Sequence, residues 1–474
     1  MKNLINNEWK ESTSSKIINV FNPATSDIID VIPDSVANDM LDAINAAKNS
    51  FKTWKNVSFD DKVDIFNRFI KLLKDNSMDI ATLHSRESGL SINVTLEQVN
   101  NIGVILAEIL ENAKLLLKDN DEKLNSNLEI NLLEPLGVVG IILSSSDVIY
   151  SFCYKVLSAL IMGNSVIIKP SELVPLTVAR LSYLLCLSGL PAGVVGLVHG
   201  RGVEVGRVLS NSPYVKLVAL DGDLKTALSI RNCTSRKLGK ELFELNGNDA
   251  LILCSDGDVS KAVDFTVKNR IMNNGQSSVG PKRFIIHESL KDEYLTKLFA
   301  LLRNVRMGDP LDQNNHMGCL IGNVRVNQVE KNVKLMLDEG AELLYGGHKY
   351  NNFFEPTVLH KVTKDMAPMK ENEILGPVIP IITFDSLLEA IQIANNIPYG
   401  INNYVFTKNT DNIFSCMRNL QSSRVIINPK LNSNLFSFGG WKLSGSNSSG
   451  IYELLKSFCI SKSVIVESEL NQLY

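Results

Sequence analysis

Nowhere along the 474 residues do about 18 apolar residues run together, which excludes a membrane-spanning helix. The opening Met1-Lys2-Asn3-Leu4-Ile5-Asn6-Asn7-Glu8-Trp9 lacks the apolar stretch of a secretory signal, so a cytoplasmic protein is expected. Charge of one sign is missing too. With 48 basic and 51 acidic residues the formal net charge is -3, which offers no basic field for nucleic acid and no polybasic strip for a membrane surface. The seven cysteines include no CxxC pair and no repeated spacing, and an odd number cannot be fully paired within one chain; reduced thiols are expected, and no metal site. Histidine is scarce, with six in all, so few side chains are available as a neutral-pH base. What remains is an ordinary globular composition, 45% hydrophobic and 21% charged, in a chain too long for one compact core. Two large domains are expected, with a small appendage.

Apolar residues at helical spacing, such as Ile65, Phe66, Phe69, Ile70, Leu72 and Leu73, predict helices over 34–53 and 59–83. From Leu132 the texture changes to short apolar runs bounded by Gly, Pro or Asn. Strands are predicted over 136–143, 165–168, 194–198, 215–220 and 250–253, alternating with helices over 153–162, 176–188, 203–211 and 224–232. That alternation argues parallel β/α/β winding, an α/β fold of the doubly wound kind. A second alternating stretch comes next, with a strand over 284–287 and helices over 292–305 and 323–339. The polar segment 119–127 interrupts the first domain, and 461–467 ends the chain as a strand suited to pairing with a neighbouring subunit.

Several segments then occur in a fixed order: Asn22-Pro23-Ala24-Thr25, Glu134-Pro135-Leu136-Gly137-Val138-Val139-Gly140, Gly163-Asn164-Ser165-Val166-Ile167-Ile168-Lys169-Pro170-Ser171-Glu172, Gly189-Leu190-Pro191-Ala192-Gly193, Gly275-Gln276, Glu373-Ile374-Leu375-Gly376-Pro377 and Phe438-Gly439-Gly440-Trp441-Lys442-Leu443-Ser444-Gly445. On these the chain resembles the aldehyde dehydrogenase superfamily along its whole length. Its Gly275 region and Pro281-Lys282-Arg283-Phe284 look most like the succinate-semialdehyde branch. The resemblance implies a Rossmann-like NAD(P) domain over 1–118 and 139–244, a catalytic domain over 245–435, and a β oligomerisation arm over 119–138 and 455–474. It also implies a homodimer or homotetramer.

Family enzymes attack the aldehyde with a cysteine thiolate, pass a hydride to NAD(P), and hydrolyse the thioester with a glutamate as base. The resemblance places the nucleophile at Ser278, the fourth residue of Gly275-Gln276-Ser277-Ser278. A thiol is partly ionised at neutral pH, whereas a hydroxyl must surrender its proton to a strong neighbouring base. The family's oxyanion asparagine falls at Ser146, in Ser144-Ser145-Ser146-Asp147, and losing one such donor typically costs about two to three powers of ten in rate. Ser146 and Asp147 also read simply as a polar turn before a helix. Glu244 matches the deacylating base.

For the cofactor, the resemblance puts Lys169 and Glu172 on the adenosine ribose, Gly222 and Asp223 on the pyrophosphate loop, and Glu373 on the nicotinamide ribose. A carboxylate on the ribose favours NAD over NADP. The phosphate loop departs from the family: Asp223 stands at a serine position and Ala227 at a glycine, and an aspartate N-cap both occupies the free N–H groups and repels phosphate. Arg270, Lys282 and Arg283 read as solvated charges, and Cys319 as a packing cysteine. Three functions stay open: an impaired aldehyde dehydrogenase, a working NAD-linked oxidoreductase of aldehydes or semialdehydes with altered chemistry, and a serine-based hydrolase.

Overall fold

The computed structural model describes residues 1–117, 120–124, 127–370, 373–431, 439–445 and 450–466. Its first half winds around a seven-stranded sheet in the order Lys240–Glu244, Val215–Asp221, Val138–Ile142, Ser165–Lys169, Val195–Leu197, Asn3–Ile5, Glu8–Lys10. The first five strands are parallel and the last two pair antiparallel. Every residue of Val138–Ile142 and Ser165–Lys169 is buried, as an unbroken apolar run in a parallel strand requires when helices cover both faces. Side chains alternate between the two faces. Val138, Ile142, Ile167, Val218 and Leu220 join one core with the helix Ala37–Trp54. Val139, Ile141, Val166, Ile168 and Ala219 join the other, with the helices Phe59–Asp75 and Pro175–Leu187.

The second sheet also has seven strands, in the order Glu342–Tyr345, Thr357–His360, Val378–Phe384, Arg283–His287, Ala250–Leu253, Asn402–Phe406, Arg424–Ile427; only the first of these runs antiparallel. A three-stranded antiparallel sheet joins Cys459–Val466, Asn127–Pro135 and Asn120–Leu124. Residues 467–474, Phe438 and Asn447-Ser448-Ser449 lie outside the described residues.

Two differences from the sequence reading have local causes. The helix over 59–83 is two helices, Phe59–Asp75 and Ser77–Ser88, separated at Asn76, whose side chain donates back to Leu72 O at 2.8 Å and so competes with the helical backbone. The helix over 153–162 is interrupted: Val148–Ser151 and Ser158–Ile161 flank a wider π-turn, Phe152–Leu157. Such bulges are frequent at functional sites, and this one carries Lys155.

Candidate active site

In an open parallel sheet the crevice forms beyond the carboxyl ends of the strands where the strand order reverses. Here that place lies between Val138–Ile142, the first parallel strand in the chain, and Val215–Asp221, the fourth. A cavity of about 590 Å³ opens there. Ser146, Lys169, Glu172, Gly222, Asp223, Ser278 and Glu373 all line it, so seven of the eight residues expected from the sequence meet in one space. Glu244 is not among the lining residues. None of the six histidines is either.

The loop bearing Ser278 is tied down from within. Gly275 sits at φ +65°, and a Cβ there would lie 2.0 Å from Gly376 O, so only glycine is accommodated. Arg270 is buried and donates to three backbone carbonyls, Gly275 O at 3.1 Å, Ile374 O at 2.7 Å and Val378 O at 2.8 Å. Lys282 is fully buried, donates to Ser278 O at 2.6 Å, and lies 3.1 Å from Glu373 Oε1. Arg283 donates to Asn248 O, Ile393 O and Ala394 O. The solvated-face reading of these three cations is therefore overturned. Each is a buried tie whose charge is met by carbonyls or by Glu373, which is how a long cation is tolerated inside a protein. Burial lowers the Arg270 pKa to about 9 against the pull of Glu373, and lowers Arg283 to about 10. Cys319 is buried, as a packing cysteine should be.

Asp147 supplies the principal feature that the sequence reading missed. It does sit in a turn, at φ +50° before Val148–Ser151, but its carboxylate reaches across to the loop bearing Ser278. One oxygen, Oδ2, accepts from Ser278 N at 2.8 Å, Ser278 Oγ at 3.0 Å and Ser277 Oγ at 3.0 Å. Both polar groups that residue 278 could offer a substrate are thereby engaged by an anion. Ser146 only closes the turn, its N–H donating to Ser144 Oγ at 3.2 Å. A long-range partner of this kind leaves no mark in a local pattern of serines and aspartate.

Glu244 ends its strand facing Lys155, with Nζ to Oε2 at 2.5 Å. Asp221 joins this buried group and accepts from Ser151 Oγ at 2.5 Å. Burial works against the Lys155 ammonium, yet Glu244 and Asp221 hold its pKa above the ordinary value. Burial, reinforced by Asp221, raises Glu244 while Lys155 opposes the rise. Desolvation likewise raises Asp147 to about 6, against the hydrogen bond from Ser278 N and with the help of Asp221.

This last shift has a sign that can be tested. The folded chain holds the Asp147 proton up to about pH 6, whereas the unfolded chain releases it near the ordinary 3.8. The native state therefore binds more protons in that window, and this group's contribution to stability falls as pH rises from about 4 to about 6. Asp147→Asn is expected to remove that part of the decline. The difference between wild-type and variant Tm, followed from pH 4 to 8, should grow in the variant's favour and then level off. A difference that stays constant with pH would refute the assignment.

At the outer end of the cavity, Lys169 Nζ donates to Glu172 Oε1 at 2.8 Å. Asp223 caps the helix Leu224–Thr234, accepting from Thr226 N at 2.8 Å and Thr226 Oγ1 at 3.2 Å. Ala227 is buried in the core beside Leu220, Ile230 and Phe243 and does not line the cavity, so its methyl group packs the helix against the sheet. Lys225 is exposed and away from the cavity wall.

Residues 9–464 match the model of the aldehyde dehydrogenase family. A D-glyceraldehyde dehydrogenase (NADP(+)) of Picrophilus torridus is 28% identical over 483 residues, covering 100% of this chain and 97% of the relative. Among solved structures, a succinate-semialdehyde dehydrogenase from Burkholderia pseudomallei superposes with a TM-score of 0.95 at 27% identity, covering 98% of each chain. Lactaldehyde dehydrogenase from Escherichia coli does so with a TM-score of 0.94 at 26% identity, covering 98% of this chain and 99% of the other. With its two mainly parallel sheets, its switch-point cavity and a family match spanning nearly the whole sequence, the chain belongs to the aldehyde dehydrogenase family.

Proposed function

We propose that this is an aldehyde dehydrogenase-family protein that keeps the cleft as a ligand-binding site and has given up oxidation of aldehydes through a covalent intermediate. The observation that carries the reading is the Asp147 carboxylate on Ser278. Attack on a carbonyl creates an oxyanion, which needs N–H donors aimed at it. Here the Ser278 N–H is already spent on an anion, and Ser146 stands where the family asparagine would contribute the second donor. A carboxylate beside the nascent oxyanion opposes the reaction that the family performs.

The family's cofactor is NAD or NADP, and the cleft fits it unevenly. Lys169 and Glu172 suit a ribose diol at the outer end. At the pyrophosphate position the Asp223 carboxylate holds the helix N-terminus that phosphate would need. The residues present thus fit the ribose better than the phosphates. Incubation with NAD or NADP and a panel of aliphatic, aromatic and semialdehyde substrates is expected to give no reduced cofactor above the blank. Turnover that Ser278→Ala abolishes would overturn the proposal.

A serine-based hydrolase is the second reading, favoured by the hydrogen bond from Ser278 Oγ to Asp147. The same carboxylate removes the oxyanion donor, so the first reading is preferred. A fluorophosphonate probe is expected to leave Ser278 unlabelled. We assign the protein to the cytoplasm; a homodimer or homotetramer is supported by Ile460 and Ile465, 53% and 58% exposed on the edge strand Cys459–Val466. We propose a cofactor domain over 1–118 with 139–244, a catalytic domain over 245–435, and an arm over 119–138 with 455–474.

A further inference from the structure

The polar wall of the cavity is unbalanced in charge. Its carboxylates are Glu172, Asp221, Asp223 and Glu373; its cations are Lys169 and Arg325. Lys169 is committed, pairing with Glu172 at 2.8 Å, while Arg325 lies in the field of Glu373, whose carboxylate is itself 3.1 Å from the buried Lys282. Asp221 is shared with the buried Lys155, which leaves Asp223, on the other side of Gly222, as the lining carboxylate with no ion pair among the described residues.

Asp223 matters most because of where it sits. The N-terminus of an 11-residue helix is ordinarily a place for an anion, through its free N–H groups. Here an anion is built in covalently, and it already holds Thr226 N and Thr226 Oγ1. Next to it the cavity changes character. Ile142, Leu143 and Leu220 give an apolar wall to the same cavity, whose volume of about 590 Å³ leaves room for a flat ring. Glu172, one-third exposed beside the buried Lys169, offers a carboxylate of the kind that accepts from vicinal ribose hydroxyls.

We infer that the cleft takes an uncharged ribonucleoside, such as adenosine, and discriminates against phosphorylated forms of the same ligand, dinucleotides included. The apolar wall and Glu172 bind the base and the ribose, which carry no charge. Asp223 repels any phosphate attached to them. The inference concerns the cofactor end of the cleft and is independent of whether Ser278 reacts: tight dinucleotide binding would overturn it while leaving the nucleophile question where it stood.

Calorimetric titration of the full chain with adenosine, ADP and NAD at one ionic strength tests it. Adenosine is expected to bind at least as tightly as ADP or NAD. Asp223→Asn keeps a cap acceptor for Thr226 N and removes only the charge, so the helix start is preserved. It should tighten ADP and NAD by about tenfold or more, the scale set by one unit charge near another at intermediate dielectric, and leave adenosine within about twofold. Asp223→Ser, which also removes bulk, should behave alike, and the gain for ADP should shrink in high salt. Three results would overturn the inference: no binding of adenosine, wild-type chain binding NAD more tightly than adenosine, or equal gains for adenosine and ADP in the variants.

Discussion

Arg270→Met is expected to destabilise the protein by about 3–5 kcal/mol, the range for removing one member of a buried, fully partnered charged group. Methionine matches the length of the aliphatic stem but donates no hydrogen bond. Gly275 O, Ile374 O and Val378 O would lose the guanidinium that bridges them, and a buried acceptor left without its donor costs about 1–3 kcal/mol. Glu373 would also lose a nearby cation. For a domain of this size the loss corresponds to a drop in Tm on the order of 10 °C. Arg270→Lys should fall between, because an ammonium on a shorter reach cannot span three carbonyls in one plane. A Tm for Arg270→Met within experimental error of the wild type would show that the loop is held by other means. Faster proteolytic cleavage near Gly275 should accompany the drop.

The same residue shows where sequence ceases to be informative. The parallel sheet was readable because its strands are runs such as Val138-Val139-Gly140-Ile141-Ile142, buried on both faces and punctuated by glycine. The convergence of Ser146, Lys169, Glu172, Asp223, Ser278 and Glu373 on one cavity was legible through the order of their motifs. Contacts between distant segments were not legible. Whether Arg270 is solvated or buried depends on carbonyls more than a hundred positions away, at Ile374 and Val378. Asp147 and Ser278 are 131 positions apart, and each alone is an ordinary polar residue in a turn. Glu244 was placed in the site by its motif, yet its orientation toward Lys155 depends on a π-turn that no local periodicity announces. Ala227 illustrates the converse: a change that looked functional in the phosphate loop is a packing change once the helix is seen from the core.

The second large effect concerns what it takes to make residue 278 reactive. Ser278→Cys alone is expected to yield a sluggish thiol, because the Asp147 carboxylate 3.0 Å from the present Oγ disfavours a thiolate and raises its pKa above the usual value of about 8.5. Asp147→Gly removes that charge at a position whose φ of +50° glycine adopts freely, and it releases the N–H of residue 278. In the Ser278→Cys/Asp147→Gly chain the thiol should alkylate with iodoacetamide about tenfold faster at neutral pH than in Ser278→Cys alone, the equivalent of roughly one pKa unit. Adding Ser146→Asn then supplies a second donor. Hydrolysis of an activated acetate ester, which needs no cofactor, should rise by about two to three powers of ten from the double to the triple variant. If Ser278→Cys alone already matches the triple variant, Asp147 is no obstacle and the side chain at 278 alone sets the reactivity. If alkylation accelerates while ester hydrolysis does not, the thiol has been freed but the oxyanion is still unsupported, and groups beyond Ser146, Asp147 and Ser278 limit the reaction.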